Sequence, residues 1–391
     1  MSKEYTVDSF IEECRKQIGK EVNDPWHPPT NELANIKAID DYAAALGDKN
    51  PLFLDDKYAK RTKYKCLIAH PTFLITVRHP ASLGATYDGP YPLAFFFNSV
   101  RWEWVNVIRM NDRFSSSLVL KDVYEKDSKF GRQVYLVSEV NYWNNHEDLI
   151  AKGTGSYVFI ERKKWTKFGF RDELIYDRPV YCYTEEESRS ILKDIRSEVR
   201  RGSKPLNWED VNVGDEVPPV VKGPMTEADL MSWYMGTYSC TANPPFRLGY
   251  VKVKKYPGII RTNRATRWPY DNALQEHFDP KISAGRGISY MFDTGTMRIC
   301  NTEHLLSNWM GDDGFLRMLD VEIKQPFLYG DTLWITGQVT KKYRDKVGDV
   351  EYGAVDIKID ALNQLKENTL QGTATIYLPF PGQEVKIPIP T

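Results

Sequence analysis

The sequence predicts an α+β fold in which one plan, a helix wrapped by an antiparallel sheet, is used twice. Three observations carry that expectation: a repeat at constant spacing, period-two alternation within each copy, and helical stretches beside each sheet. The repeat comes first. Asn111-Asp112, GRQVYLVSEVNYW, Asn144 and KGTGSYVF in the first half are answered by Gly330-Asp331, VEYGAVDIKIDAL, Asn363 and QGTATIYL in the second. Asp112 to Asp331, Asn144 to Asn363 and Gly153 to Gly372 are each a step of 219 residues.

Within both copies apolar and polar residues alternate and break at Gly, Asn and Asp, as strands joined by turns should. The helical pieces are IKAIDDYAAALGD in the first half, and TEADLMSWYMG and the HLLSNWM region in the second. Thr226 and Asp229 have the spacing of a helix start. The chain divides into a first unit over residues 1–165, a linker over 166–206 that is charged and carries one exposed helix, and a second unit over 207–391.

Of 391 residues 41% are hydrophobic, enough for real cores in two units, which argues against disorder. Lys plus Arg (52) balance Asp plus Glu (53), so no global field attracts a nucleic-acid backbone. The first residues, MSKEYTVDSFIEECRKQIGKE, lack the apolar stretch of a secretory signal, and no run nears the roughly 20 apolar residues of a membrane span. We expect a soluble, cytoplasmic protein that binds neither nucleic acid nor membrane. The five cysteines are scattered without a CxxC pair, which implies a reducing setting and no structural zinc.

The run YAAALGDKNPLFLDDKYAKRTKYKCLIAHPTFL, and in the second half HFDPKISAGRGISYMFDTG, SNWMGDDGFLRML and GDTLWITGQVTKK, resemble the MaoC-like acyl dehydratases, which include the R-specific enoyl-CoA hydratases. The resemblance implies a tandem hot-dog fold whose first copy has an aromatic residue, Phe53, where the family has its catalytic histidine. A shift of 224 sets Phe53 on His277, Asp55 on Asp279, and His70-Pro71 on Thr294-Gly295. It also sets Asp48 on Asn272, where the family acid belongs. Asp271, one residue earlier, is the alternative, because an insertion of roughly Ser239 to Arg267 leaves the register there open.

Hydration of an α,β-unsaturated thioester needs a base for water, an acid for the α-carbon and donors for the enolate oxygen. By resemblance His277 is the acid–base group, Asp271 or Asn272 its partner, and the backbone N–H at Gly295 the oxyanion donor. Arg261, Arg264 and Arg267, three apart, suggest one face of a helix or turn that meets the phosphates of coenzyme A; pairing with acidic side chains is the plainer reading. In the first copy Phe53 and His70 are expected to line a binding slot, and Trp102, Trp104 and the AFFF run either an acyl tunnel or simply core. His27 reads as loop packing, and His79, His146 and His304 carry no partner pattern. The expected activity is that of a hydro-lyase interconverting 2-enoyl-CoA and 3-hydroxyacyl-CoA, with no metal or redox cofactor, in a homodimer or larger assembly. An acyl-CoA thioesterase and a non-catalytic acyl-CoA-binding subunit are the alternatives.

Overall fold

The computed structural model describes residues 4–25, 27–162, 165–166, 169–170, 174–239, 245–263 and 266–391. Nine strands form one antiparallel sheet. The first half supplies β1 (Leu93–Trp104), β2 (Ser115–Ser128), β3 (Gly131–Trp143) and β4 (Leu149–Glu161). The second supplies β5 (Glu216–Lys222), β6 (Phe315–Ile323), β7 (Leu333–Val347), β8 (Val350–Asn363) and β9 (Asn368–Leu378). Their order across the sheet is β2-β3-β4-β1-β6-β9-β8-β7-β5, so the two halves join edge to edge through β1 and β6.

The 219-residue repeat is repeated in the hydrogen bonding. Asn144 and Asn363 close the same turn: each main-chain N–H reaches the carbonyl four residues on at 3.0 Å, and each side-chain oxygen accepts the N–H groups two and four residues on. Glu147 and Lys366, one repeat apart, both take φ near +60°. Asp112 and Asp331 each accept the N–H three residues back. The bulges also coincide, at Asn98 and Arg317 and again at Lys121 and Thr340. A shared bulge fixes twist and register alike. In the β1–β6 seam Arg101 lies opposite Asp320, its own repeat mate, so a pseudo-twofold axis passes through that pair.

Helices cover one face of this sheet. α1 (Ile36–Leu46), capped by Asn35, and α3 (Glu227–Gly236), capped by Thr226, pack on each other across the pseudo-axis. Gly236 allows it: a Cβ there would stand 2.6 Å from the Ala45 Cβ. Between the halves α2 (Glu185–Arg196) buries only Ile191. α4 (Gly295–Met310) is the long central helix of the second copy, capped by Thr294 and buried from Met297 onward.

The expectation of a long central helix in both copies holds only for the second. Where the first copy would start its own, at His70-Pro71, six residues form a 3₁₀ turn, Pro71–Thr76. The reason is local: Ile75, Thr76 and Val77 are β-branched, Pro80 follows, and His70 makes no side-chain capping bond. The chain then runs irregularly to β1, so the half that lacks the helix has more room beneath its sheet.

Candidate active site

The two loops set in register by the 224-residue shift fold alike. Asp55 Oδ1 accepts the N–H of Lys57 at 2.8 Å, and Asp279 Oδ1 accepts that of Lys281 at 2.8 Å, each capping a short helix. Phe53 and His277 therefore occupy equivalent positions, but their surroundings differ.

His277 opens on a cavity of about 380 Å³. Its Nδ1 lies 2.8 Å from the Phe292 carbonyl. A carbonyl only accepts, so Nδ1 carries the proton, and in the neutral ring Nε2 keeps its lone pair. The carboxylate that faces Nε2 is that of Glu276, with Oε1 at 3.7 Å. Glu276 is itself buried and paired through Oε2 with Arg286 at 2.5 Å. Arg286 lies in the short helix Pro280–Arg286, with its guanidinium 4.1 Å from the centre of the Phe95 ring. Burial lowers the Arg286 pKa, which Glu276 and Tyr157 partly offset.

Gly295 also lines the cavity, at the first position of α4, where an N–H has no helical acceptor. A Cβ there would press on the end of the Ile323 side chain and stand 3.3 Å from Phe97. Asp293 borders the cavity too, but Arg298 holds both its oxygens, at 2.8 and 3.0 Å. Burial raises the Asp293 pKa against that pairing.

His277 and Gly295 thus meet at one cavity, as the resemblance implied. Asp271 does not join them. It sits in a two-residue ladder, Asp271–Asn272 against Ile260–Arg261, where its carboxylate accepts from Asn263 Nδ2 at 3.2 Å, and it is absent from the cavity wall. The side chains of Asn272 and Arg261 and all of Arg264 lie outside the described residues. The expected arginine face is not a helix: Arg261 is in that ladder, and Arg267 is exposed in a turn at φ 65°. No sequence signal marked Glu276, because the shift sets it on the apolar Leu52.

The first-copy residues expected to line a binding slot are buried elsewhere. Phe53 packs with Leu52, Tyr64 and Ile68 and stacks on His70, ring centres 3.8 Å apart. His70 belongs to a charge cluster that is buried at Asp48, Glu303 and His304 and reaches the surface at Glu198. Its Nδ1 donates to Glu303 Oε2 (2.8 Å), and its Nε2 faces Asp48 Oδ2 (3.3 Å). His304 Nε2 lies 3.4 Å from Asp48 Oδ1 and 3.1 Å from Glu198 Oε1. Lys222 Nζ donates to His304 Nδ1 at 2.6 Å. Asp48 also fixes its own turn by accepting the Asn50 N–H at 2.9 Å.

Burial pushes the Asp48 carboxyl up, but the His304 hydrogen bond and the charges of His70, His304 and Lys222 overcome it and hold it below the usual carboxylate range. Burial lowers His70, yet Glu303 and Asp48 raise it further. Burial wins at Lys222, bringing it down to about 8. Asp48, His70, Glu303 and His304 are all at most 4% exposed, and none of them lines the large cavity. Trp102 and Trp104 are core, whereas Phe95, Phe96 and Phe97 do line the cavity.

Comparison with known proteins agrees with this architecture. A family profile described as "FAS1-like, dehydratase domain region" matches residues 18–153, within the copy that lacks the histidine. The UPF0336 protein Franean1_6066 of Parafrankia sp. (strain EAN1pec) is 30% identical over 128 residues, 31% of this chain and 79% of that protein. A solved MaoC-like dehydratase superposes with a TM-score of 0.60 at 14% identity, covering 94% of this chain and 99% of its own. A MaoC domain dehydratase from Chloroflexus aurantiacus J-10-fl gives 0.55 at 12%, covering 93% and 95%. The chain belongs to the family of that UPF0336 protein, and its fold is the double hot-dog seen in the two MaoC-like structures. Among the described residues no helix is long and apolar enough to cross a membrane.

Proposed function

We propose that this protein reversibly adds water to an α,β-unsaturated acyl-CoA thioester, interconverting 2-enoyl-CoA and 3-hydroxyacyl-CoA, with the chemistry in the second copy. The observation that carries this reading is the fixed tautomer of His277, whose Nε2 lone pair and the Glu276 carboxylate face each other 3.7 Å apart. That gap suits one water held between base and carboxylate. His277 Nε2 takes the proton as the oxygen adds to the β-carbon, and returns a proton to the α-carbon; in dehydration the steps reverse. The Gly295 N–H at the positive end of α4 meets the enolate oxygen that develops.

Glu276 replaces Asp271 and Asn272 as the partner in this reading. It keeps the water oriented and stabilises the imidazolium formed in the transition state, while Arg286 holds it in place. The acyl chain extends beneath the first copy's sheet, along Phe95 to Phe97. Coenzyme A, carried by the substrate, is the only cofactor the reaction calls for, and of the three arginines the exposed Arg267 is the candidate for its phosphates. We also propose a homodimer or larger assembly, which light scattering would reject by giving the mass of a single chain.

The test is a series of trans-2-enoyl-CoA substrates from crotonyl-CoA upward, followed by loss of the enoyl chromophore and by mass gain of one water. Release of free thiol in place of water addition would make the protein a thioesterase. Binding of enoyl-CoA with no turnover across the series would make it a carrier subunit.

A further inference from the structure

The segment inserted ahead of the candidate active-site loop carries charge of one sign only. From Ser239 to Tyr270 it holds seven Lys or Arg and not one Asp or Glu, in a chain whose net charge is −1. Its longest element is a helix, Phe246–Lys255.

That helix is fixed to the body along one side and bare along the other. Val253 is buried, and Tyr256, just past the last turn, meets the Tyr87 ring of the first copy, centres 6.0 Å apart. On the far side Phe246, Tyr250 and Lys254 follow at intervals of four residues, and Arg247, Val251 and Lys255 run beside them one residue round. All six are exposed, as is Leu248, and Phe246 is 93% so. The Tyr250 ring sits edge-on to Tyr270, which in turn meets the exposed Trp268. Among the described residues no carboxylate pairs with Arg247, Lys254 or Lys255, and the two lysines rest over the rings of Tyr250 and Tyr256.

An exposed apolar face of this kind calls for a cover, and the charges select it. A second copy is unsuited, because a self-complementary contact would set these cations against their own mates with no acid in the segment to answer them. A partner protein would need a rigid groove shaped to a phenylalanine that stands clear of the surface, whereas lipid yields around it. A membrane supplies each part: acyl chains for Phe246, Leu248 and Val251, headgroup depth for Tyr250 and Trp268, and anionic headgroups for Arg247, Lys254 and Lys255.

We propose that the helix Phe246–Lys255 docks this protein on membrane surfaces that carry anionic headgroups, lying in the interface without crossing it. The expectation of no membrane contact rested on the want of a spanning segment, and surface binding requires none. The insertion leaves the cavity wall at Ser239 and the chain returns to it at Leu274, so docking holds the cavity close to the lipid.

The test uses the full chain and sedimentation with vesicles of phosphatidylcholine, alone or with about one part in three of phosphatidylglycerol. Affinity for the mixed vesicles should be roughly tenfold or more above that for the neutral ones, and rising salt should reverse the gain. Two double variants separate the contributions: F246S/L248S removes apolar groups, and K254E/K255E reverses charges. All four positions are exposed and outside the candidate active site, so both variants should keep the wild-type melting temperature. Each should lose roughly tenfold in affinity for the mixed vesicles. No binding to mixed vesicles, equal binding to both compositions, or wild-type binding by either variant overturns the proposal. So does a wild-type oligomer that F246S/L248S dissociates with no vesicle binding, which would make this face a contact between copies. Retention on immobilised polyglutamate without vesicle binding would assign it to an acidic protein and overturn the proposal as well. None of these measurements requires turnover, so the proposed hydration can fail without touching them.

Discussion

The loop Asp48–Asp56 of the first copy and the loop Asn272–Pro280 of the second share a register, a capping aspartate and a following short helix. In the second, the residue at the shared position is a histidine that faces a cavity of about 380 Å³. In the first, Phe53 fills the place and closes over His70, and the buried Asp48 carboxylate is held among His70, His304, Glu303 and Lys222, with Glu198 at the surface end. Asp48 does not lack histidine partners; it lacks access. On the proposed reading, which puts the chemistry in the second copy, the difference teaches that the other copy can keep its ionisable residues and use them for cohesion.

The sharpest way to break this comparison is to remove each copy's histidine or acid in turn. His277→Ala should cost roughly two to four orders of magnitude in hydration rate with a nearly unchanged melting temperature. Asp48→Asn should do the reverse, keeping the turnover of folded protein within a few-fold while losing about 3–5 kcal/mol of stability, because His70, His304 and Lys222 are left around an uncharged group. Full activity in the first variant and none in the second would exchange the roles of the copies.

The buried cluster also has a pH signature. His70 is raised in the folded state, so its stabilising contribution is complete below its unfolded value of about 6.5 and fades as pH rises through the raised one. Lys222 is lowered to about 8, so between there and about 10.4 the unfolded chain binds more protons and this group makes stability rise with pH. The stability difference between wild type and His70→Gln, from denaturant midpoints, should therefore shrink from mildly acidic to mildly alkaline pH. A difference that grows would reject the assigned direction for His70.

Glu276→Gln sharpens the comparison within the second copy, with an expected loss of roughly ten- to a hundredfold in kcat, whereas Asp271→Asn should stay within a few-fold. Equal losses in both would return Asp271 to the site. The smallest effect concerns the repeat mates Gly153 and Gly372. A Cβ at Gly153 would meet the Trp102 and Val140 side chains at 2.8 Å, but at Gly372 it would meet the Asp320 carbonyl, which cannot rotate away. Gly372→Ala should thus melt lower than Gly153→Ala, both within about 1–3 kcal/mol of wild type. The opposite order would mean the two sheets differ in rigidity.

The repeat was legible because turns and close approaches favour particular residues: Asn144 and Asn363 close identical loops, and Gly153 and Gly372 sit where a Cβ would press on the neighbouring strand. His277 was legible because Asp55 and Asp279 cap alike. The missing helix after His70 was written in Ile75-Thr76-Val77 and Pro80, but the repeat argued for symmetry and outweighed it. Glu276 was illegible, since its mate is Leu52 and its role comes from Arg286 and His277 meeting it in space. His27 and His79 lie in irregular chain with no period between them, so the stacking of their rings at the cavity wall depends on tertiary structure alone.

The seam between β1 and β6 has a consequence for synthesis. Once β4 has been made, at Glu161, the first copy can assemble its four strands, but the outer edge of β1 over Ser99 to Glu103 has no partner until Met318 to Glu322 emerge. At about 5–20 residues per second that wait is roughly ten to thirty seconds. For that interval the nascent chain carries an open strand edge near the apolar Phe95 to Phe97, the kind of surface that pairs with a neighbour on the same polysome. A chaperone that shields β1, or slow exchange of halves between neighbouring chains, would then decide the yield of folded protein more than its final stability does.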